Sequence, residues 1–252
     1  MQWYLHTLHS KSRHVVLVVG NTGSGISSTI NLIAGFPATR NTGPDASRLT
    51  WRVKSYPVDI DRTDTDKHPI SLYEIPGFEG NNHNYNAKLI KYIRCLHKSV
   101  RIDLVLYCAR HPLRTLPHAF KALREGLRGV PFAAVVTGLE REPGNMRDWW
   151  TRSSNGAALE RRLGLSFDDY VCVTTLPVTE TDLRKEFRRR REESQVQLKA
   201  LICRHCDQEK VPGTGIPCPR YLAALDIMRT AASVSSYWSL FSKEFVHFYR
   251  SM

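Results

Sequence analysis

Apolar positions along the chain follow two alternating rhythms. His14–Val19 (HVVLVV) is an unbroken apolar run rich in β-branched residues and ends in a cluster of glycines, which predicts a strand buried on both faces. Ser27–Ala34 then carries apolar side chains at Ile30, Ile33 and Ala34, the spacing of a helix, and Gly35 stops it. Residues 36–50 are polar and turn-rich and read as a loop. Trp51–Ile60 alternates like a half-exposed strand, and Pro57 assigns it to a sheet edge. Pro69–Ile75 predicts a short strand closed by Pro76-Gly77.

The same rhythm continues downstream. A helix over Ala87–His97 precedes a strand over Asp103–Cys108, and a helix over Ala119–Leu127 precedes a strand over Pro131–Val136. A helix over Arg147–Leu163 leads to a strand over Tyr170–Val173, and a long charged helix spans Thr181–Cys203. This alternation predicts a three-layer α/β fold with a mostly parallel sheet. The expected organisation is a lead over 1–12, the main domain over 13–205, and a linker with a helical extension over 206–252. No repeat of 20–50 residues is visible.

Composition narrows the field only a little. With 42% apolar residues in 252, a core of normal size is available and wholesale disorder is excluded. Lys plus Arg is 36 against 24 for Asp plus Glu, a net charge of +12. Such an excess invites nucleotide phosphate, nucleic acid or an acidic membrane surface, and it also simply keeps a surface soluble. Met1–Lys11 lacks the apolar core of a signal peptide, and Val15–Val19 falls far short of the roughly 20 residues that span a bilayer. Six cysteines do not make a disulfide scaffold, and Cys108 and Cys172 lie in core segments. A reducing, cytoplasmic setting is the expectation.

The strongest chemical signal is Gly20-Asn21-Thr22-Gly23-Ser24-Gly25-Ile26-Ser27-Ser28, set between a buried strand and a helix. It matches the phosphate-loop pattern GxxxxGK[ST] at Gly20, Gly25 and Ser27, where glycines let main-chain amides cradle phosphate and the hydroxyl holds Mg²⁺. A dinucleotide-binding turn has similar glycine spacing but needs a second strand ending in an acid near position 40. Residues 36–48 are a turn-rich loop instead, so the phosphate-loop reading is preferred.

Further pieces follow in the order a GTP-binding domain needs. Thr50 is placed to act as a switch threonine on Mg²⁺, with Thr42 and Thr39 as weaker candidates. Glu74-Ile75-Pro76-Gly77 ends a strand where such proteins carry DxxG, the acid supporting Mg²⁺ and the glycine amide meeting the γ-phosphate. Thr137-Gly138-Leu139-Glu140 stands where [NT]KxD reads guanine, and Thr174-Thr175-Leu176 where a short loop backs the base.

The run Val15–Gly35, with LYEIPGF (Leu72–Phe78), LVLYCAR (Leu104–Arg110) and VVTGLE…DWW (Val135–Trp150), resembles small fungal G-domain proteins. These are similar to the AIG1 and septin-related branch of P-loop GTPases. The resemblance covers roughly residues 13–205 and implies a Ras-like fold, GTP or GDP as ligand and Mg²⁺ as cofactor. The departures from the pattern are informative. Ile26 replaces the lysine that would contact the β- and γ-phosphates, a charge-assisted bond worth roughly 1.5–3 kcal/mol. Glu74 replaces Asp, Gly138 replaces the base-lining lysine, and Glu140 replaces Asp. Arg40, Arg48 and Arg110 are candidates to supply the missing charge, with nothing to select among them.

The expectation is therefore a guanine-nucleotide-binding domain, a switch or scaffold with weak or lost hydrolysis. No residue is marked as catalytic, since Phe78 follows the glycine where some GTPases place catalytic help. GTP over ATP is not secured at this stage. The alternative is a nucleotide-free interaction module using its basic surface. Its densest part, Arg188–Arg191, reads by default as a solvated face of a helix whose buried face is Leu183, Phe187, Leu198, Leu201 and Ile202. RNA, DNA or acidic lipid is the less favoured reading of that run. Cys203, Cys206 and Cys218 form an incomplete zinc pattern, and packing at the helix end is preferred. Trp149 and Trp150 are expected to pack a helix on the sheet. The aromatic-rich Ser236–Tyr249 would dock on the domain, self-associate or touch a membrane, and the ten histidines suggest no triad.

Overall fold

The structure, a computed structural model, describes residues 13–39, 53–61, 67–80, 82–112, 119–177 and 185–206. Every described residue belongs to one compact unit within Met1–Pro212. Thr50, Arg40, Arg48, Cys218, the expected helix Arg220–Val234 and Ser236–Tyr249 lie outside the described residues.

Among the described residues, six strands form one sheet: β1 (His14–Gly20), β2 (Lys54–Asp61), β3 (Lys67–Glu74), β4 (Leu104–Arg110), β5 (Phe132–Thr137) and β6 (Asp169–Cys172). Their order is β2-β3-β1-β4-β5-β6. Only β2 is antiparallel, pairing Pro57 with Ser71 at the sheet edge, where a missing N–H does not break an inner ladder. The mostly parallel three-layer α/β fold expected from the alternation is what the chain adopts.

The apolar run of β1 serves both faces by strand periodicity. Val15, Leu17 and Val19 join one cluster, with α2 (His83–Val100), α3 (Ala119–Gly126) and α5 (Asn155–Leu163). Val16 and Val18 join the other, under α1 (Ile26–Ala34) and α6 (Lys185–Cys206). β4 divides likewise, with Val105 and Tyr107 facing one way and Leu104, Leu106 and Cys108 the other. Since α1 and α3 pack on opposite faces, the carboxyl ends of neighbouring β1 and β4 open onto the switch point where α/β sheets bind ligands.

Two elements differ from expectation. The single helix over Arg147–Leu163 is broken into α4 (Asp148–Thr151), a 3-10 turn (Arg152–Ser154) and α5. Ser153 and Ser154 take φ of 51° and 57°, and the indole of Trp150 occupies the space a Cβ on Gly156 would need. A Ser-Ser-Asn-Gly run competes poorly as helix, so tertiary packing of the indole decides the break. Trp149 is buried and Trp150 stacks on Tyr170 at 4.4 Å, as the packing role requires. Helix α2 starts four residues before the expected Ala87 because the Asn82 side chain accepts the Tyr85 amide at 3.1 Å.

Candidate nucleotide-binding site

The glycine loop leaves β1 at Gly20 and enters α1 at Ile26. Gly25 takes φ 94° at the N-cap, contributes no capping side chain, and is followed by no acid in the first turn. The amides of Ile26, Ser27 and Ser28 therefore have no acceptor within the helix, and the first intrahelical bond is Thr29 N–H to Gly25 O at 2.8 Å. Positive dipole and unpaired donors at one point suit an anion. Thr22 and Gly23 are exposed at the loop tip, while Ser24 is buried. The Ile26 side chain does not crown the loop. It is buried among the apolar residues beneath α1, with Val16, Val18 and Ile30.

The end of β3 is stitched to this loop. The Ser27 hydroxyl donates to Glu74 Oε1, and the Tyr56 hydroxyl donates to Glu74 Oε2 at 2.7 Å. Burial, reinforced by the bond to Glu74 and by its charge, pushes the Tyr56 phenol well above its usual range, so it stays a donor. Phe78 N–H donates to Gly20 O at 2.8 Å, and Thr22 N–H donates to Phe78 O at 3.1 Å. Gly77 is needed for that approach: a Cβ there would stand 2.5 Å from Thr22 N and 2.6 Å from its Cα. Phe78 itself is buried, with its ring 4.7 Å from that of Phe120. It cannot orient a water. Thr39, a weaker switch candidate, is buried behind α1 with its hydroxyl 3.4 Å from Ser27 O.

The end of β5 forms the other half. The Thr137 hydroxyl donates to Ser24 O at 2.9 Å, so this residue anchors the glycine loop. Glu140 receives the Thr174 hydroxyl at 3.3 Å, which ties the loop after β5 to the loop after β6. Gly138 takes φ 84°, and a Cβ there would lie 2.9 Å from His111 O and 3.4 Å from Arg110 Cγ. A side chain at this position would crowd the turn after β4, which favours glycine there. Arg110 pairs in register with Thr137, so its exposed side chain belongs to this end of the site.

The basic run is only partly a solvated face. Arg188 and Arg189 are exposed, but Arg190 is buried. Its guanidinium donates to Glu142 O at 2.8 Å, Gly144 O at 3.2 Å, Glu140 O at 3.4 Å and Leu139 O at 3.5 Å, and pairs with Glu186 at 2.9 Å. Arg191 donates to Leu176 O at 3.0 Å. Ser194 accepts the Thr174 amide at 3.0 Å. Sequence reasoning missed Arg190, Ser194 and Tyr56. The available signal was spacing, since Arg190, Ser194 and Leu198 recur every four residues on one helix stripe.

Among the described residues, a glycine loop at the switch point of a six-stranded, mostly parallel sheet, with an acid closing β3, makes a mixed α/β fold of the kind seen in P-loop GTPases. The same architecture is found in Toc33 from Arabidopsis thaliana, solved in complex with GDP and Mg²⁺: TM-score 0.53 and 17% identity over 79% of this chain and 86% of that one. It recurs in the bacterial selenocysteine-specific elongation factor EF-Sec, with TM-score 0.51 and 13% identity over 79% of this chain and 29% of that one. A GTP-binding protein from Sulfolobus solfataricus in complex with GDP shares 17% identity with TM-score 0.47 over 75% of this chain, which spans 53% of that protein's length. At such identities the likeness is one of fold. The sequence matches no protein-family model and no curated protein.

Proposed function

We propose that the chain is a guanine-nucleotide-binding P-loop domain of the AIG1 and septin-related type, a switch or scaffold whose hydrolysis is weak or lost. The observation that carries this reading is the junction of the glycine loop with β3. There an uncapped first turn, the Ser27–Glu74 bond and Gly77 seated on Thr22 converge. Main-chain amides of Gly23 and of Gly25 to Ser28 would receive the diphosphate, the Ser24 amide being held by Asn21 O at 2.9 Å. Ser27 and Glu74, both hard oxygen donors, fit a Mg²⁺ site, and Thr50 completes the set proposed from the sequence. Such a cation supplies charge neutralisation of the phosphates.

Guanine is favoured over adenine by Glu140, whose carboxylate is aimed by Thr174. Guanine offers two N–H donors along one edge, whereas adenine presents a ring-nitrogen acceptor there and would meet the carboxylate with repulsion. Weak hydrolysis follows from two replacements: Ile26 brings no charge to the phosphates, and Phe78 is committed to the core. The nucleotide-free reading loses ground because Arg190 and Arg191 are spent on loop carbonyls. Among the described residues no helix is long and apolar enough to cross a membrane.

Thermal unfolding with and without nucleotide tests this reading. A ligand that binds only the folded state raises the midpoint. The expected outcome is a rise with GDP or GTP plus Mg²⁺ that ATP does not reproduce; a midpoint unmoved by millimolar guanine nucleotide overturns it.

A further inference from the structure

Three metal-ligating side chains meet at the end of the sheet away from the glycine loop. His14 opens β1, His68 is the second residue of β3, and Cys206 ends α6. One ligand atom from each lies within 4.8 Å of the other two. The imidazoles stack with centroids 4.8 Å apart and planes 9° from parallel. His68 and Cys206 are buried and His14 half-buried. Six residues of strand separate His14 from Gly20, about 20 Å at an ordinary rise, so this cluster is independent of the nucleotide site.

The surroundings favour a metal. Asp103 Oδ2 faces His14 Nδ1 at 3.6 Å and is itself held by the Val15 amide at 2.8 Å. The 3.6 Å separation is too long for a hydrogen bond, and a small rotation that shortened it would let the carboxylate orient the ring as carboxylates do behind metal-bound histidines. Cys203 packs against the apolar cluster beneath α6, as preferred from the sequence, and so does not join Cys206 in a zinc pattern. The residues that join Cys206 come from two strands remote in sequence, which is why spacing alone left the pattern incomplete.

We propose that His14, His68 and Cys206 form a transition-metal site that takes Zn²⁺, with solvent in the fourth position on the half-exposed His14 side. Two imidazole nitrogens and a thiolate are a borderline-soft set, suited to Zn²⁺ and unsuited to Mg²⁺ or Ca²⁺, which require oxygens. Tetrahedral bonds of about 2.0–2.1 Å to nitrogen and 2.3 Å to sulfur need side-chain rotations that turn the two imidazoles out of their parallel stack, so that their in-plane lone pairs converge, and draw the three atoms closer by about 1 Å. Binding releases the Cys206 thiol proton to solvent. The ion would clamp the carboxyl end of α6 to the starts of β1 and β3, and so fix the helix that supplies Arg190.

The test is titration of the metal-free full-length chain with Co²⁺, followed by displacement with Zn²⁺. The expected result is one equivalent bound, with a sulfur-to-cobalt charge-transfer band and the visible bands of a four-coordinate ion. C206S removes the charge-transfer band, C203S keeps it, and D103N weakens binding by about 10- to 100-fold. X-ray absorption of the Zn²⁺-loaded wild type reads the same point without a variant: one sulfur at about 2.3 Å beside nitrogen at about 2.0–2.1 Å. Substoichiometric uptake by the wild type, a band surviving in C206S, or a shell without sulfur overturns the proposal.

Discussion

The proposed phosphate end and the proposed base end of the nucleotide site are built by different means. The phosphate end is one contiguous stretch, Gly20 to Ser28, whose donors are main-chain amides, supported from a distance by Glu74, the Phe78 backbone and the Thr137 and Thr39 hydroxyls. Replacement of a side chain there, Ile26 for lysine, removes a charge and leaves the amide geometry in place. The base end is assembled from side chains on three separate segments, with Arg190 reaching Glu140 O across 50 positions of sequence. Its departure, Gly138, is favoured by the closeness of the His111 carbonyl. An end made of backbone tolerates loss of a side chain, and an end made of side chains depends on its scaffold.

The largest effect is expected where that scaffold is removed. Arg190→Ala strips the donor from buried loop carbonyls and should cost about 3 kcal/mol in denaturant unfolding, the range of a charged hydrogen bond whose partners are left unsatisfied. It should also narrow the preference for GDP over ADP while pyrophosphate affinity changes little. Gly77→Ala attacks the other end. Its Cβ meets Thr22 backbone, which cannot swing aside, so about 2 kcal/mol of strain and a parallel loss of GDP and pyrophosphate binding are expected. Equal effects of both variants on base discrimination would erase the distinction.

Ile26→Lys separates charge from packing. Triphosphate affinity should rise about tenfold from the restored charged contact. The nucleotide-free protein should become less stable, because Ile26 is part of the core beneath α1. Tyr56→Phe should have a smaller effect, about 1 kcal/mol, read as weaker Mg²⁺ dependence of binding once Glu74 loses a donor. The smallest effect belongs to neither end. Burial, with help from the Arg101 charge, holds His97 below its ordinary value of 6.5. The unfolded chain then binds more protons as pH falls through 6.5, so stability is full above that pH and declines below it, levelling off once the folded state also titrates. His97→Gln should flatten this decline in acid unfolding curves and leave nucleotide selectivity unchanged.

The same contrast explains what the sequence could show. The positions of the glycine loop, Glu74 and Gly77 at the ends of β1 and β3 were legible because local spacing after strands fixes them. The strands β1, β4 and β5 were legible because continuous apolar runs suit a sheet covered on both faces. Arg190 was not, because a run of four arginines looks solvated until the α6 stripe is docked on the loops it caps. The break at Ser153-Ser154 was hidden for a similar reason, since the Trp150 indole over Gly156 is a tertiary contact.

The central claim is that main-chain amides, without an ammonium group, hold the phosphates of a guanine nucleotide. Calorimetric titration of the wild-type chain with GDP, with and without Mg²⁺, tests it most directly. The account expects saturable binding that Mg²⁺ strengthens and G77A removes. Absence of saturation at millimolar GDP in the folded wild-type protein would contradict it.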